Sequence, residues 1–255
     1  MSHSCSYPCA WCYSNKNSLE RSADLRTIKN IRENYKAWCD SGSKKKNAKF
    51  YKNCINLPIF SGEEDTKVLD IIILPELHLM IGVLDKIVDH MRREFEDDTN
   101  KWLVFCDVDR EVRHNGAGFK GNSCIKLLDN IDYLRSTCSV GCLKYVDVLE
   151  KFKKVVKDCF GMELKPTYEE SIDSFRDSYL SLKISVTPKV HAVFFHIKDF
   201  CFEDNKGLGY YSEQSMESIH FDFLSTWANY KVSKNNHKFG NRLLRAICDY
   251  NGKHI

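Results

Sequence analysis

Proline and glycine are scarce in this sequence, with 5 and 12 of its 255 residues. It contains no internal repeat and no low-complexity tract. With 43% hydrophobic and 29% charged residues, the composition is that of an ordinary globular protein. The length suits one large domain or two small ones and is enough to bury a substantial core. We expect a single helical domain over residues 1–255.

Long apolar runs are also lacking. The longest, Val68–Leu74, is interrupted by Asp70 and ends at Pro75, so it falls short of a membrane-spanning helix. The N-terminus has no apolar stretch of the kind that forms a secretory signal. We therefore expect an intracellular protein, nuclear or cytoplasmic, with no membrane partner.

Cysteine, by contrast, is abundant, with twelve residues. In a small secreted chain this number would indicate a disulfide framework. Most of these cysteines instead stand singly in segments of helical periodicity, where reduced thiols act as small buried apolar groups. This distribution favours a reducing compartment.

The net charge of +3 is unevenly distributed. Residues 16–53 carry eleven Lys or Arg residues against four acidic ones, and residues 231–255 carry six against one. Two basic blocks fit a polyanion such as DNA, bound weakly and without sequence preference. Solvated helix faces would look the same, and charge alone leaves both interpretations open. The DNA hypothesis places the contacts on a helix from Arg26 to Trp38, on Lys44, Lys45 and Lys46, and on Lys238, Arg242 and Arg245.

Apolar residues recur at helical spacing through most of the chain, so the predicted fold class is mainly α. Strand signals are weak: Val68–Leu74 and Trp102–Val108 fit either a strand or a helix. The glycine-rich stretch Arg113–Asn122 is predicted to be a loop.

Residues at the predicted helix ends supply further expectations. Gly161 should end one helix in the left-handed conformation, and Thr167 should open the next in a capping box with Glu170. Thr187 with Pro188 should open another, and Ser212 the one after that. A last helix is predicted over Phe239–Tyr250.

Two paired motifs indicate a metal site. Cys9 and Cys12 form a C-x2-C knuckle within residues 5–12, and the turn between such thiolates can direct both sulfurs at one zinc ion. His191 and His196, on a helix predicted at 188–200, can complete a tetrahedral set. Five residues turn an ideal helix by about 500°, so the rings would diverge by about 140° unless the turn is loosened or the rotamers differ. The motifs alone leave open that the four side chains are unrelated.

A third pattern lies at residues 207–220, where Glu213, Glu217 and His220 fall on one helical face behind two glycines. A carboxylate near the start of a helix can hold an active-site metal ion. Such residues also commonly form an exposed acidic face that complements the helix dipole.

In order and spacing these motifs resemble the C-terminal part of the catalytic region of DDE transposases, in the group of the V(D)J recombinase catalytic subunit and the Transib-like transposases. That family has a C-x2-C pair, a long helical insertion, an H-x4-H pair that completes a zinc site, and then the catalytic glutamate. Cys9 and Cys12 match the thiols, His191 and His196 match the imidazoles, and Glu217 matches the glutamate. The segment Asn115–Asn122 also looks like part of the insertion.

The resemblance implies a C-terminal portion of an RNase H-like core, stapled by structural zinc and carrying the third catalytic acid at Glu217. The family's two catalytic aspartates lie upstream of the C-x2-C pair, and this sequence begins too close to Cys9 to contain them. Three carboxylates hold two Mg²⁺ or Mn²⁺ ions about 4 Å apart in such enzymes, so we expect those ions only in a full-length form. The family separates its two glutamates by two residues, whereas three separate Glu213 from Glu217, so either can be the matching acid.

Two hypotheses from different classes follow. The chain is either a C-terminal fragment of a transposase-like DNA cutting and strand-transfer enzyme, or a domesticated, non-catalytic zinc-binding helical module that binds nucleic acid or protein. A helical scaffold without metal is a third. Homo-oligomer formation is compatible with each.

Overall fold

The computed structural model describes residues 5–58, 62–113, 116–201, 205–212 and 214–254. The described chain is mainly helical, which confirms the predicted fold class. Its contacts group the residues into two compact units, Met1–Tyr211 and Ser212–Ile255. That the whole of 1–255 is one domain stays a prediction. Across the described residues, no helix combines the length and apolar character needed to cross a bilayer.

The first unit carries most of the secondary structure. Its α-helices are α1 (Ile28–Asp40), α2 (Val68–Ile71), α3 (Glu76–Glu94), α4 (Glu96–Phe105), α5 (Gly121–Asp129), α6 (Ile131–Thr137), α7 (Leu143–Cys159), α8 (Tyr168–Ser181), α9 (Pro188–His191) and α10 (Ile197–Cys201). A π-helical turn, Ala192–His196, joins α9 to α10. Turns of 3-10 helix cover Lys45–Tyr51, Val140–Cys142 and Leu208–Tyr211.

Both segments with strand potential turn out to be largely helical. Val68–Ile71 forms α2, and the start of Trp102–Val108 completes α4. The predicted loop at 113–122 is wrong in part, since β1 (Glu111–Arg113) and β2 (Gly116–Gly118) pair antiparallel there and α5 begins at Gly121. Glycine has little strand preference, so this pairing is not encoded in the residue types. Asn115 lies outside the described residues.

The two predicted threonine caps have different outcomes. Thr187 accepts a hydrogen bond from the N–H of Val190 at 3.3 Å, with Pro188 in the first turn, as predicted. Thr167 does precede α8, but its hydroxyl donates to Asp158 at 3.0 Å and makes no cap bond, so the capping box is wrong. The hydroxyl is oriented instead by Asp158, to which it donates, and by Lys154, whose Nζ donates to it at 3.2 Å.

A second glycine, Gly209, packs closely against the C-terminal end of α7. Gly161 does not adopt a positive φ, which corrects the expectation. Its carbonyl accepts the N–H of Gly209 at 3.0 Å, and a Cβ on Gly209 would lie 2.5 Å from the carbonyl oxygen of Phe160. Close backbone approach therefore explains why glycine stands at 209.

The core of the first unit lies where α7 and α8 pack together and meet α3 and the π turn. Phe194 of the π turn has its ring centroid 5.6 Å from that of Phe175 and 5.6 Å from that of Tyr179, both on α8. All three side chains are fully buried, in the edge-to-face geometry that aromatic rings prefer. The core thereby anchors the turn that carries the predicted histidine ligands.

The second unit is a pair of helices, α11 (Gln214–Ala228) and α12 (Phe239–His254). Phe223 packs against Tyr250 and Trp227 against Phe239, each pair with centroids 5.7 Å apart. The prediction of a helix from Phe239 is confirmed, and this helix runs past Tyr250. Ser212 lies two residues before α11 begins.

Candidate metal centre

The two cysteines lie on a tightly held turn. Next to Cys12, the N–H of Tyr13 donates to the carbonyl of Asp24 at 3.0 Å, and the N–H of Arg26 donates to the carbonyl of Trp11 at 2.8 Å. The backbone around Cys12 and Leu25 is thus paired in antiparallel fashion. This pairing fixes the direction in which the thiol of Cys12 points.

The π turn solves the angular problem of the histidine pair. The N–H of Ile197 donates to the carbonyl of Ala192, five residues earlier, where an α-helix would bond four residues back. Widening the turn in this way brings residues five apart onto nearly the same helix face. The rings of His191 and His196 accordingly lie together, with centroids 4.9 Å apart. The loosened turn that the spacing requires is present.

The four predicted ligands meet at one point. The Sγ of Cys9 lies 3.2 Å from Nε2 of His196, and the Sγ of Cys12 lies 3.2 Å from Nε2 of His191. All four candidate ligand atoms lie within 4.8 Å of one another, and each residue is at most 1% exposed. This buried cluster could hold a metal ion. Cys5, upstream in the knuckle, is not part of it.

The outer nitrogen of each ring is also held. Nδ1 of His191 donates to the carbonyl of Leu19 at 2.7 Å, and Nδ1 of His196 donates to the carboxylate of Asp199 at 3.1 Å. Because a carbonyl or carboxylate only accepts, Nδ1 carries the proton and Nε2 presents its lone pair to the cluster. Hydrogen bonds of this kind, from the outer ring nitrogen to a carbonyl or carboxylate, orient a metal-binding histidine. Asp199 could have been found from its place one turn after His196, but the Leu19 carbonyl leaves no sequence signal.

Arg26 is the main residue that sequence reasoning placed wrongly. The sequence predicts Arg26 on an exposed DNA-binding helix, but α1 begins at Ile28 and the Arg26 side chain is fully buried. Its Nε donates to the carbonyls of Cys9 at 3.2 Å and Cys12 at 2.9 Å. The guanidinium therefore clamps both ends of the C-x2-C turn.

The same guanidinium reaches other parts of the N-terminal region. Its Nη1 donates to the carbonyl of Lys52 at 3.3 Å and its Nη2 to that of Tyr7 at 3.4 Å. The Cζ of Arg26 lies 4.4 Å from the ring centroid of Tyr13. A planar fork with five donors can satisfy this many acceptors, and a lysine cannot.

The thiols and rings shift one another's ionisation. A hydrogen bond shared with Cys9, and further bonds to the two histidines, lower the pKa of Cys12 to about 2 against the pull of burial. The shared bond and burial together raise the pKa of Cys9. Burial by itself lowers the pKa of His196, but Asp199 and the Cys12 sulfur outweigh it and raise that pKa. Of the two thiols, only Cys12 therefore favours the thiolate, and a bound divalent cation would favour deprotonation of Cys9 as well.

The predicted catalytic acid cannot be placed against this site. Glu217 lies in α11 of the second unit, but its side chain is outside the described structure, as is that of His220. Glu213 lies outside the described residues altogether. The assignment of Glu217 stays a prediction.

Comparisons with known proteins do not identify the chain. No model of a known protein family matches the sequence, and a search of curated proteins finds no match. The resemblance to DDE transposases therefore depends on the motifs themselves.

Proposed function

We propose that Cys9, Cys12, His191 and His196 bind one structural zinc ion. The observation that carries this proposal is the convergence of the four ligand atoms within 4.8 Å of one another in a fully buried cluster. In a tetrahedral zinc site with Zn–S near 2.3 Å and Zn–N near 2.1 Å, sulfur and nitrogen ligands lie about 3.6 Å apart. The two S···N distances of 3.2 Å are about 0.4 Å shorter than this, so a small outward shift of the ligands would admit the ion.

The donor types also favour zinc in a structural role. Two thiolates and two imidazoles are a ligand set typical of tetrahedral zinc, and they leave no position for a reacting water. The charge of two thiolates balances a divalent cation, which suits a dry site. Such an ion would join residues 179 positions apart and fix the N-terminal knuckle to the helical core.

Metal analysis of the purified chain tests this proposal directly. We expect about one zinc per chain by elemental analysis, and a cobalt-substituted form with the absorption bands of tetrahedral thiolate coordination. Cys248→Ser, which removes an exposed cysteine outside the cluster, should keep the ion, whereas Cys12→Ser should lose it. Metal-free protein whose fold is unaffected by zinc would refute the assignment.

For the activity of the protein, we propose that this chain is the C-terminal portion of a transposase-like DNA cutting and strand-transfer enzyme. The order and spacing of the four ligands and Glu217 support it, because the zinc ligands predicted from the family's pattern come together in space. In a full-length form, Glu217 would supply the third carboxylate for Mg²⁺ or Mn²⁺. The reduced thiols fit a nuclear or cytoplasmic protein.

DNA nicking assays test the enzymatic part. A single matching acid cannot hold two metal ions, so the 255-residue chain should show no Mg²⁺- or Mn²⁺-dependent nicking. The longest product that its locus encodes should nick, and Glu217→Gln should abolish this activity while Glu213→Gln preserves it. Nicking by the short chain that disappears in Glu217→Gln would show that other residues complete the site.

The alternative is a non-catalytic zinc-binding module that binds nucleic acid. A specific observation favours it: Lys44, Lys45 and Lys46 are exposed, on the same segment as Lys52, which hydrogen-bonds to Arg26 and Tyr7. The side chains of Lys238, Arg242 and Arg245 are exposed on the second unit. Either version of the function predicts salt-dependent binding of a polyanion.

A further inference from the structure

The segment Lys44–Lys52 concentrates positive charge on the surface. Five of its nine residues are lysine, and no acidic residue occurs from Ser41 to Gly62. Lys44, Lys45, Lys46 and Lys49 are exposed. Within the part of the chain that the structure describes, no carboxylate lies at ion-pair distance from any of the five. The charge is therefore available to an anionic partner.

An aromatic ring stands among these lysines. Phe50 is 68% exposed, and the Nζ of Lys49 lies 5.0 Å from its ring centroid. One exposed apolar side chain is ordinary by itself. Aromatic rings interleaved with cations are, however, the combination that binds unpaired bases, because the ring stacks on the base while the cations contact the backbone phosphates.

The segment is held in place from its N-terminal side. After α1, the N–H of Gly42 donates to the carbonyl of Cys39 at 3.0 Å, and that of Ser43 donates to the carbonyl of Trp38 at 3.1 Å. This pair of hydrogen bonds ends helices sharply, and it requires a positive φ, which Gly42 adopts at +90°. The indole of Trp38 then donates to the carbonyl of Lys44 at 3.3 Å.

Its C-terminal side is attached to the metal centre. The carbonyl of Lys52 accepts from Arg26, the same residue that clamps the two cysteines. The Nζ of Lys52 donates to the hydroxyl of Tyr7 at 3.2 Å, and the N–H of Tyr7 donates to the Asn53 side chain at 3.0 Å. A surface fixed at both ends loses little conformational entropy when it binds a ligand.

We propose that Lys44–Lys52 is a binding site for single-stranded nucleic acid, in which the lysines contact phosphates and Phe50 stacks on an unpaired base. This inference rests on the nucleic-acid binding proposed above and names its ligand. Duplex bases are stacked on one another and present only their edges, so an exposed phenyl ring cannot stack on a base face unless the duplex opens. Single-stranded DNA and RNA share the chemistry that the site recognises.

The test is fluorescence anisotropy of the full, zinc-loaded chain with labelled oligothymidine, oligouridine and a mixed-sequence duplex of equal length, roughly 15–20 nucleotides. Phe50→Ala should weaken binding of the single strands about 10-fold and leave the duplex unchanged. Phe50→Trp should retain binding. Val140→Ala, which shortens another exposed apolar side chain at 85% exposure, is the matched control and should have no effect.

The lysines are tested through salt dependence. Lys44, Lys45 and Lys46 replaced together by Ala should reduce the slope of log affinity against log salt by about 2, at roughly 0.7 per phosphate on a single strand. Phe50→Ala should leave this slope intact, because stacking releases no counterions. Zinc content and circular dichroism of each variant establish that it is folded.

Two results would overturn the inference. If Phe50→Ala and Val140→Ala bind single strands equally well, the ring does not stack, although salt-dependent duplex binding would leave the proposed function standing. If neither oligonucleotide nor duplex binds at low ionic strength while an acidic peptide does, the surface serves a protein partner. The single-strand site and the nucleic-acid binding proposed above are then both wrong, while the zinc site is unaffected. Preference for oligothymidine or oligouridine only distinguishes DNA from RNA, and either supports the site.

Discussion

His191 and His196 face one point because the helix between them is π-helical, with the two ring centroids 4.9 Å apart. A regular α-helix would separate them by about 140°. Wide turns of this kind are rare and are frequently found at functional sites. Here the turn also carries Phe194 into the aromatic core, so the geometry of the ligands and the packing of the core support each other.

Removing the ion should destabilise the first unit. A cross-link between residues 12 and 191 closes a loop of 179 residues, and loop-closure arguments give about 5 kcal/mol for a length of this order. We expect chelation, Cys12→Ser or His196→Ala to lower Tm by roughly 10–20 °C in scanning calorimetry. Cys248→Ser serves as the control. An unchanged Tm after complete chelation would contradict the structural role of the ion.

Asp199 should tune the site from outside the ligand set. Its carboxylate accepts a hydrogen bond from Nδ1 of His196, which orients the ring and strengthens it as a ligand. Asp199→Asn should weaken zinc affinity by about 10- to 100-fold in competition with a chromophoric chelator. Asp177→Asn, on exposed α8 surface, should not. Equal affinities for the two variants would mean that Asp199 has no positioning role.

Arg26 should prove essential although it bears no ligand atom. Arg26→Lys keeps the charge but loses the fork that bonds the carbonyls of Cys9 and Cys12, and it leaves buried acceptors unpaired. We expect a loss of about 3 kcal/mol in the free energy of unfolding, measured by urea denaturation. Arg21→Lys, at an exposed position, should change it little. If both variants unfold at a similar urea concentration, water molecules must take over the hydrogen bonds that the Arg26 guanidinium makes.

Asp158 should make stability depend on pH at the α7–α8 junction. Burial alone raises the pKa of this carboxyl, but hydrogen bonds from Lys154, Ser171 and Thr167 outweigh it, so the pKa is lowered from 3.8. A carboxyl with a depressed folded-state pKa stabilises the protein above its unfolded pKa, and that contribution disappears as pH falls through the folded value.

The corresponding experiment compares Asp158→Asn with wild type. At pH 7 the substitution should cost roughly 2–3 kcal/mol, because three donors lose a charged acceptor. The cost should persist down to the unfolded pKa near 4 and shrink below it. Exposed Asp222→Asn is the control. A cost that stays constant down to pH 2 would show that packing, rather than charge, accounts for the effect.

Part of this protein is determined by its sequence alone. Helical periodicity is a local property, so the helices over Tyr168–Ser181 and from Phe239 onwards could be predicted from apolar spacing. The ligand types Cys9, Cys12, His191 and His196 carry their chemistry in the side chain, so motif spacing was enough to predict a metal site.

Which polar groups support the metal site is determined by contacts that form only in the folded chain. Whether Arg26 faces solvent or clamps the knuckle depends on carbonyls at residues 7, 9, 12 and 52, and Thr167 leaves its capping role only because Asp158 lies buried beside it. Neither partner is adjacent in sequence, so no local pattern encodes the choice. The same holds for the π turn, since the cost of a wide turn is offset only by contacts of Phe194, His191 and His196 with residues far away in the chain.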